Sequence, residues 1–149
     1  MFVLDTDHIS ILQAKAGDDW RRLKKRLDEQ PRSNFYVSIV SFHEQIGGWY
    51  AQLARAKSAT DTLRAYRMLE RTLATFAGAQ VLPFDEAAIE LFADLRQQKV
   101  RIDTLDLRIA CIAITRNMTL LTRNTVDFVR VPGLKFEDWT REEPASELT

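Results

Sequence analysis

Four carboxylates occupy equivalent places in this chain. Asp5 follows the apolar run Met1–Leu4, and Glu44 falls just after the β-branched and aromatic run Phe35–Val40. Asp106 stands in the first turn of a helix predicted over Thr104–Arg116, and Asp127 a few residues beyond a strand predicted at Thr119–Leu121. In an open parallel sheet the carboxyl ends of the strands share one edge, where ligand crevices form. Acids distant in sequence then converge, and carboxylates so crowded repel one another unless a cation stands between them. Oxygen donors of this kind suit a hard divalent ion, Mg2+ or Mn2+. Each acid also has an ordinary structural role open to it. Asp5 and Asp7 suit a helix N-cap, Ser41-Phe42-His43-Glu44 reads as a capping box, Asp106 suits the positive end of a helix dipole, and Asp127 suits a turn. Spacing alone points to a metal site and no further.

The elements that must position these acids alternate in type. Met1–Leu4 reads as a buried first strand, Phe35–Val40 as the second, Val81–Pro83 as the third, Thr119–Leu121 as the fourth and Leu134–Phe136 as a short last one. Between them lie helical patterns. One carries Ile9, Ile11 and Leu12; another starts at Gly17-Asp18-Asp19 and ends before Pro31. Further helices are predicted from Ser41 to about Ala56, from Thr60 to Phe76 with Leu63, Tyr66, Met68, Leu69 and Leu73 inward, and from Asp85 with Ile89, Phe92 and Leu95 on its apolar stripe. Strands alternating with helices imply βαβ units and a mostly parallel sheet covered on both faces.

Composition narrows the class. With 149 residues, 46% hydrophobic and 28% charged, the chain is sized and balanced for one globular domain. A single cysteine excludes a disulfide framework and a thiolate-built metal site. No apolar run reaches the roughly 20 residues of a membrane-spanning helix, so no membrane partner is expected and a cytoplasmic location is. The formal charge is zero, but it is unevenly spread. From residue 137 onward stand five acids (Glu137, Asp138, Glu142, Glu143, Glu147) and one base, Arg141. The bases concentrate in two helices, as Arg21, Arg22, Lys24, Lys25 and Arg26, and as Arg55, Lys57, Arg64, Arg67 and Arg71. Such faces suit a phosphate backbone or simply water.

The residues themselves carry a resemblance. Phe2-Val3-Leu4-Asp5-Thr6-Asp7-His8-Ile9-Ser10 resembles the opening of PIN-domain ribonucleases, in particular the VapC-type toxins of bacterial type II toxin–antitoxin pairs. Ser38-Ile39-Val40-Ser41-Phe42-His43-Glu44-Gln45-Ile46-Gly47-Gly48 resembles the family's second motif, and Ile102-Asp103-Thr104-Leu105-Asp106-Leu107-Arg108-Ile109-Ala110 its third. Leu120-Leu121-Thr122-Arg123-Asn124-Thr125-Val126-Asp127-Phe128 resembles the last, and the order is kept over about residues 1–140. The resemblance implies an α/β fold, a PIN-like three-layer α/β/α sandwich with a central parallel sheet of four or five strands, over residues 1–140, with an acidic C-terminal tail at 141–149. It implies a Mg2+- or Mn2+-dependent endoribonuclease that hydrolyses single-stranded or looped RNA, tRNA and rRNA among the known targets. Asp5, Glu44, Asp106 and Asp127 would form the metal site, with Thr6, Thr122 and Asn124 as small polar neighbours. Asp103 stands where the family usually has Gly, and is expected to cap the following helix. Arg55 and Lys57 are expected to guide the RNA. The implied partners are a VapB-type antitoxin, inserting a segment into the acidic cleft, and a second copy of the chain in a homodimer or larger toxin–antitoxin assembly.

Two other readings compete. A phosphoacceptor receiver domain also groups acids at strand ends, but it needs an Asp after a middle strand, and strand two here leads into Ser41-Phe42-His43-Glu44. An inactive PIN relative that binds RNA or protein would not need all four acids. His8 and His43 lack HExxH spacing, since Gly47 stands where the second His would be, and are read as solvent-facing or hydrogen-bonded. Cys111 is read as core, and Trp20, Trp49 and Trp139 as packing residues.

Overall fold

A computed structural model describes residues 1–143, so the acidic tail expected at 141–149 lies outside the described residues from 144 onward. Five short strands form one all-parallel sheet: β1 (Phe2–Leu4), β2 (Phe35–Ser38), β3 (Val81–Leu82), β4 (Thr119–Leu121) and β5 (Lys135–Glu137), in the order β3-β2-β1-β4-β5. Seven helices connect and cover them: α1 (Thr6–Ala14), α2 (Asp18–Asp28), α3 (Ile39–Arg55), α4 (Ala59–Ala77), α5 (Glu86–Gln97), α6 (Thr104–Thr115) and α7 (Thr125–Phe128). None is long and apolar enough to cross a membrane.

The two-residue period of the strands divides the apolar residues between two cores. Val3 and Leu120 point to one face and pack with Ala88, Leu95 and the α6 residues Leu107, Ile109, Ala110 and Ile112. Leu4, Val37 and Leu121 point to the other and pack with Ile9, Leu23, Phe76 and Trp139. The result is the three-layer α/β/α sandwich expected, with five strands. Helix α6 is apolar on almost every side and buried accordingly, which fixes its N-terminal turn against the sheet. Cys111, fully buried there, has its thiol pushed up to about 11 by burial, so it is a core residue rather than a nucleophile.

Several local expectations need correction. The second strand ends at Ser38, not Val40, because Ser38 Oγ accepts the Ser41 amide at 3.1 Å and caps α3 three residues earlier than predicted. Ser41 is therefore not an N-cap, and Glu44 does not close a capping box on it. Helix α3 runs unbroken through Gly47-Gly48, as the single helix expected from Ser41 to about Ala56 requires. On α4 the inward residues are Ala65, Thr72 and Phe76, while Leu63, Tyr66 and Leu73 are exposed, as is Ile89 on α5. The last strand is shifted by one residue, to Lys135–Glu137.

Leu120→Ala, in a fully buried site of β4, is expected to lower the unfolding free energy by about 3 kcal/mol in urea titrations. Leu73→Ala, 64% exposed on α4, should change it by less than about 0.5 kcal/mol. Equal losses at the two positions would contradict this assignment of the core.

Candidate active site

The order of the strands places a switch point beside β1. The chain runs outward from β1 through β2 to β3 and then returns to the other side of β1 as β4. Crevices in open α/β sheets form at this point, beyond the carboxyl ends of the strands. Asp5 sits directly after β1. Its amide donates to the Leu121 carbonyl of β4 at 2.9 Å, and its side chain caps α1 by accepting the Thr6 amide at 2.8 Å. The other oxygen of Asp5 accepts the Thr122 hydroxyl at 2.8 Å. Asp5 is buried, with 4% of its surface exposed.

The remaining acids stand around it in two linked groups. Thr6 bridges the β1 and β2 ends, its hydroxyl lying 3.0 Å from Ser41 Oγ and 3.3 Å from Glu44 Oε2. Across the crevice, the Asn124 amide nitrogen donates to Asp106 at 3.3 Å and to Asp127 at 3.0 Å. A single amide thus joins acids from α6 and α7. Asp103 caps α6, its Oδ1 accepting the Leu105 amide at 2.9 Å and the Asp106 amide at 3.4 Å. Its charge still acts on its neighbours. All of Asp5, Glu44, Asp106, Asp127, Thr6, Thr122, Asn124 and Asp103 therefore lie at one edge of the sheet.

Electrostatics records how crowded this edge is. Burial first, then the charges of Asp7 and Asp106, raise the Asp5 carboxyl to about 8, against the pull of the Thr122 and Thr6 hydrogen bonds. Burial, with Asp103, Asp127 and Asp7, raises Asp106 to about 6. Glu44 is raised by burial and by Asp106, Asp103 and Asp7. Negative charge is costly here, and a cation relieves that cost.

These acids suit a hard divalent cation chemically: every candidate donor is a carboxylate oxygen, and mutual repulsion is the dominant unfavourable interaction between them. Among the described residues no three His, Cys, Asp or Glu side chains are already drawn into a ligand group. The hydroxyls of Thr6 and Thr122 and the Asn124 amide donate to oxygens of Glu44, Asp5, Asp106 and Asp127.

The comparisons with known proteins fall on this same set of elements. The PIN domain family model matches residues 2–134. The chain belongs to the PIN domain family. It is 28% identical over 144 residues to the ribonuclease VapC1 of Haemophilus influenzae, covering 95% of this chain and 99% of that one. It is 37% identical over 82 residues to the tRNA(fMet)-specific endonuclease VapC of Shigella flexneri, covering 50% of this chain and 62% of the other. Its structure superposes on a chain of the DNA-bound VapBC complex of Salmonella typhimurium with a TM-score of 0.71 at 25% identity, covering 93% and 97% of the two chains. PIN membership replaces the receiver-domain reading.

Some residues of the candidate site are not where the sequence places them, or escape the sequence pattern. Arg55 and Lys57 lie at and beyond the far end of α3, about 16 Å along the helix from Glu44, and do not flank the mouth. The base beside it is Arg130, whose guanidinium is 4.0 Å from Asp127; Arg123 follows Thr122 directly but pairs its guanidinium with Asp19 of α2 at 3.3 Å. Asp7, which the sequence offers as a helix N-cap, instead accepts the Arg123 amide at 2.9 Å, and Asp5 is the cap. Nothing in the spacing marked Arg130.

The raised carboxyls tie stability to pH. An acid whose folded pKa exceeds its unfolded value binds more protons in the folded state between the two, so stability falls as pH rises through that window. For Asp5 the window runs from the ordinary value of 3.8 to about 8. In chelator, the protein is expected to melt at a lower temperature at pH 8 than at pH 5, and Asp5→Asn should raise the melting temperature at pH 8. A wild type that gains stability steadily from pH 5 to pH 8 would show that the site is not strained by its charges.

Proposed function

We propose that this chain is a divalent-cation-dependent endoribonuclease, the toxin half of a VapBC-type toxin–antitoxin pair, which hydrolyses phosphodiester bonds in single-stranded or looped RNA. The observation that carries this reading is the convergence of Asp5, Glu44, Asp106 and Asp127 on one sheet edge, in a chain that aligns end to end with a VapC ribonuclease. An unpaired strand suits such a cleft, because its phosphates are not shielded by a partner strand.

Asp5, Asp106, Glu44 and Asp127 are the residues that would hold the cation. When bound, Mg2+ or Mn2+ supplies positive charge beside the scissile phosphate and favours ionisation of an attacking water. The chain's own groups divide the remaining work. Asp5, fixed at both oxygens, sets the position of the site on the rigid sheet. One carboxylate of this set accepts the proton of the attacking water as the water oxygen bonds to phosphorus. The bond to the departing ribose oxygen breaks with a proton supplied to that oxygen by solvent. Asn124 holds Asp106 and Asp127 in register, and Arg130 meets a flanking backbone phosphate.

Structures of the VapBC kind support an antitoxin partner. The acidic cleft favours a cationic segment of that partner, an arginine above all, which would occupy the place of the cation and the substrate. A second copy of the chain completes the assembly. The name of the Shigella relative favours tRNA as the class of target.

Purified protein should cleave a single-stranded RNA with Mg2+ or Mn2+, lose activity in chelator, and lose at least roughly a hundredfold on Asp106→Asn. Arg130→Ala should weaken binding of RNA more than it slows turnover, and the loss should shrink as salt rises. Cleavage by Asp106→Asn at the wild-type rate would overturn the assignment.

A further inference from the structure

A buried histidine lies behind the site and takes no part in the chemistry just described. His8 has no exposed surface, and both of its ring nitrogens are engaged. The Trp139 backbone amide donates to Nε2 at 3.3 Å, so Nε2 is an acceptor and the ring proton sits on Nδ1. Nδ1 lies 2.8 Å from Asp7 Oδ1 and donates to it. The second oxygen of Asp7 accepts the Arg123 amide at 2.9 Å, with the Thr122 hydroxyl 3.4 Å away.

That contact matters because residues 122–124 form the turn on which the candidate site is hung. Within it the Asn124 amide donates to Thr122 Oγ1 at 3.0 Å, leaving the one hydroxyl proton of Thr122 for Asp5 at 2.8 Å. The Asn124 side chain reaches Asp106 and Asp127. Three of the four carboxylates therefore take their orientation from a turn whose backbone is pinned by Asp7, and Asp7 is pinned by His8.

We propose that His8 is a positioning residue: held in its Nδ1–H form by the Trp139 amide, it fixes Asp7 and through it the Thr122–Asn124 turn that orients Asp5, Asp106 and Asp127. The inference rests on the endoribonuclease reading of those acids. It explains why a polar ring is fully buried beside the Trp139 backbone, where an apolar side chain would need no hydrogen-bond partners. It also assigns a task to the segment after β5, since Trp139, packed on Phe2 and Phe35, supplies the amide that selects the tautomer.

The test combines a spectroscopic signature with two substitutions. In the wild type, nitrogen-15 NMR of the imidazoles should show His8 as a neutral ring protonated at Nδ1; protonation at Nε2 overturns the proposal, and this measurement needs no variant to fold. His8→Phe keeps the bulk and removes both hydrogen bonds. It should lower kcat and Mn2+ affinity by roughly ten- to a hundredfold with KM for RNA little changed. His8→Asn places an amide donor near the Nδ1 position and should restore most of the loss. Wild-type kcat and Mn2+ affinity in a folded His8→Phe, or a His8→Asn no better than a folded, impaired His8→Phe, contradicts the proposal. Asp5→Asn, measured alongside, separates the two levels: if it too is fully active, the endoribonuclease site itself is wrongly placed, whereas an inactive Asp5→Asn beside a fully active His8→Phe removes only the role of His8.

Discussion

The burial of several carboxylates together at one edge of a parallel sheet is the constraint around which this molecule is arranged. A parallel sheet directs every strand's carboxyl end the same way, so residues that follow strands meet whether or not their charges agree. Here they do not agree, and the buried Asp5 and half-buried Asp106 and Glu44 all bind protons more tightly than free carboxyls do. A fold under no other demand would replace one of these acids by an amide. Donors such as Thr6, Thr122 and Asn124 satisfy part of the acids' hydrogen-bonding capacity, and the proposed cation would neutralise the charge that is left.

Rigidity around the acids comes from burial rather than from the strands' length. Each strand has only two to four residues, yet Leu120, Leu121 and Val3 are fully enclosed, and α6 is apolar nearly all round. The first turn of α6 carries Asp106, and the β1–α1 junction carries Asp5, so each acid is attached where a buried element begins or ends. Short polar side chains then set the final orientation. The same division, apolar packing for position and hydrogen bonds for angle, is what a site needs if its oxygens are to be arranged to within a fraction of an ångström.

Much of this was legible in the sequence, and the exceptions have physical causes. The strand ends and the acids that follow them could be read because apolar runs and helix starts are local signals. Ser38 was hidden because Ile39 and Val40 favour strands in isolation, whereas in the fold Val40 is buried in the core as part of a helix capped by Ser38. Leu63, Tyr66 and Leu73 were read inward because they are apolar, but α4 turns Ala65, Thr72 and Phe76 to the core, and a hydrophobic residue is not obliged to be buried. Arg55 belongs to the helix that carries Glu44, and only the length of that helix shows that it is remote from the crevice. Asp103 acted as the cap expected of it. The role of His8 depends on a partner 131 residues away, which no local pattern announces.

The central claim is that Asp5, Glu44, Asp106 and Asp127 gather around a shared divalent cation and exchange protons for it. Calorimetric titration of the purified chain with Mn2+ near pH 7, in buffers of different ionisation enthalpy, tests this most directly. Saturable binding with release of protons is expected, because burial and neighbouring carboxylates raise the proton affinity of Asp5, Asp106 and Glu44 and the ion would displace those protons. Asp5→Asn should both weaken binding and reduce the release. Absence of binding, or binding with no proton released and no change in Asp5→Asn, would contradict it.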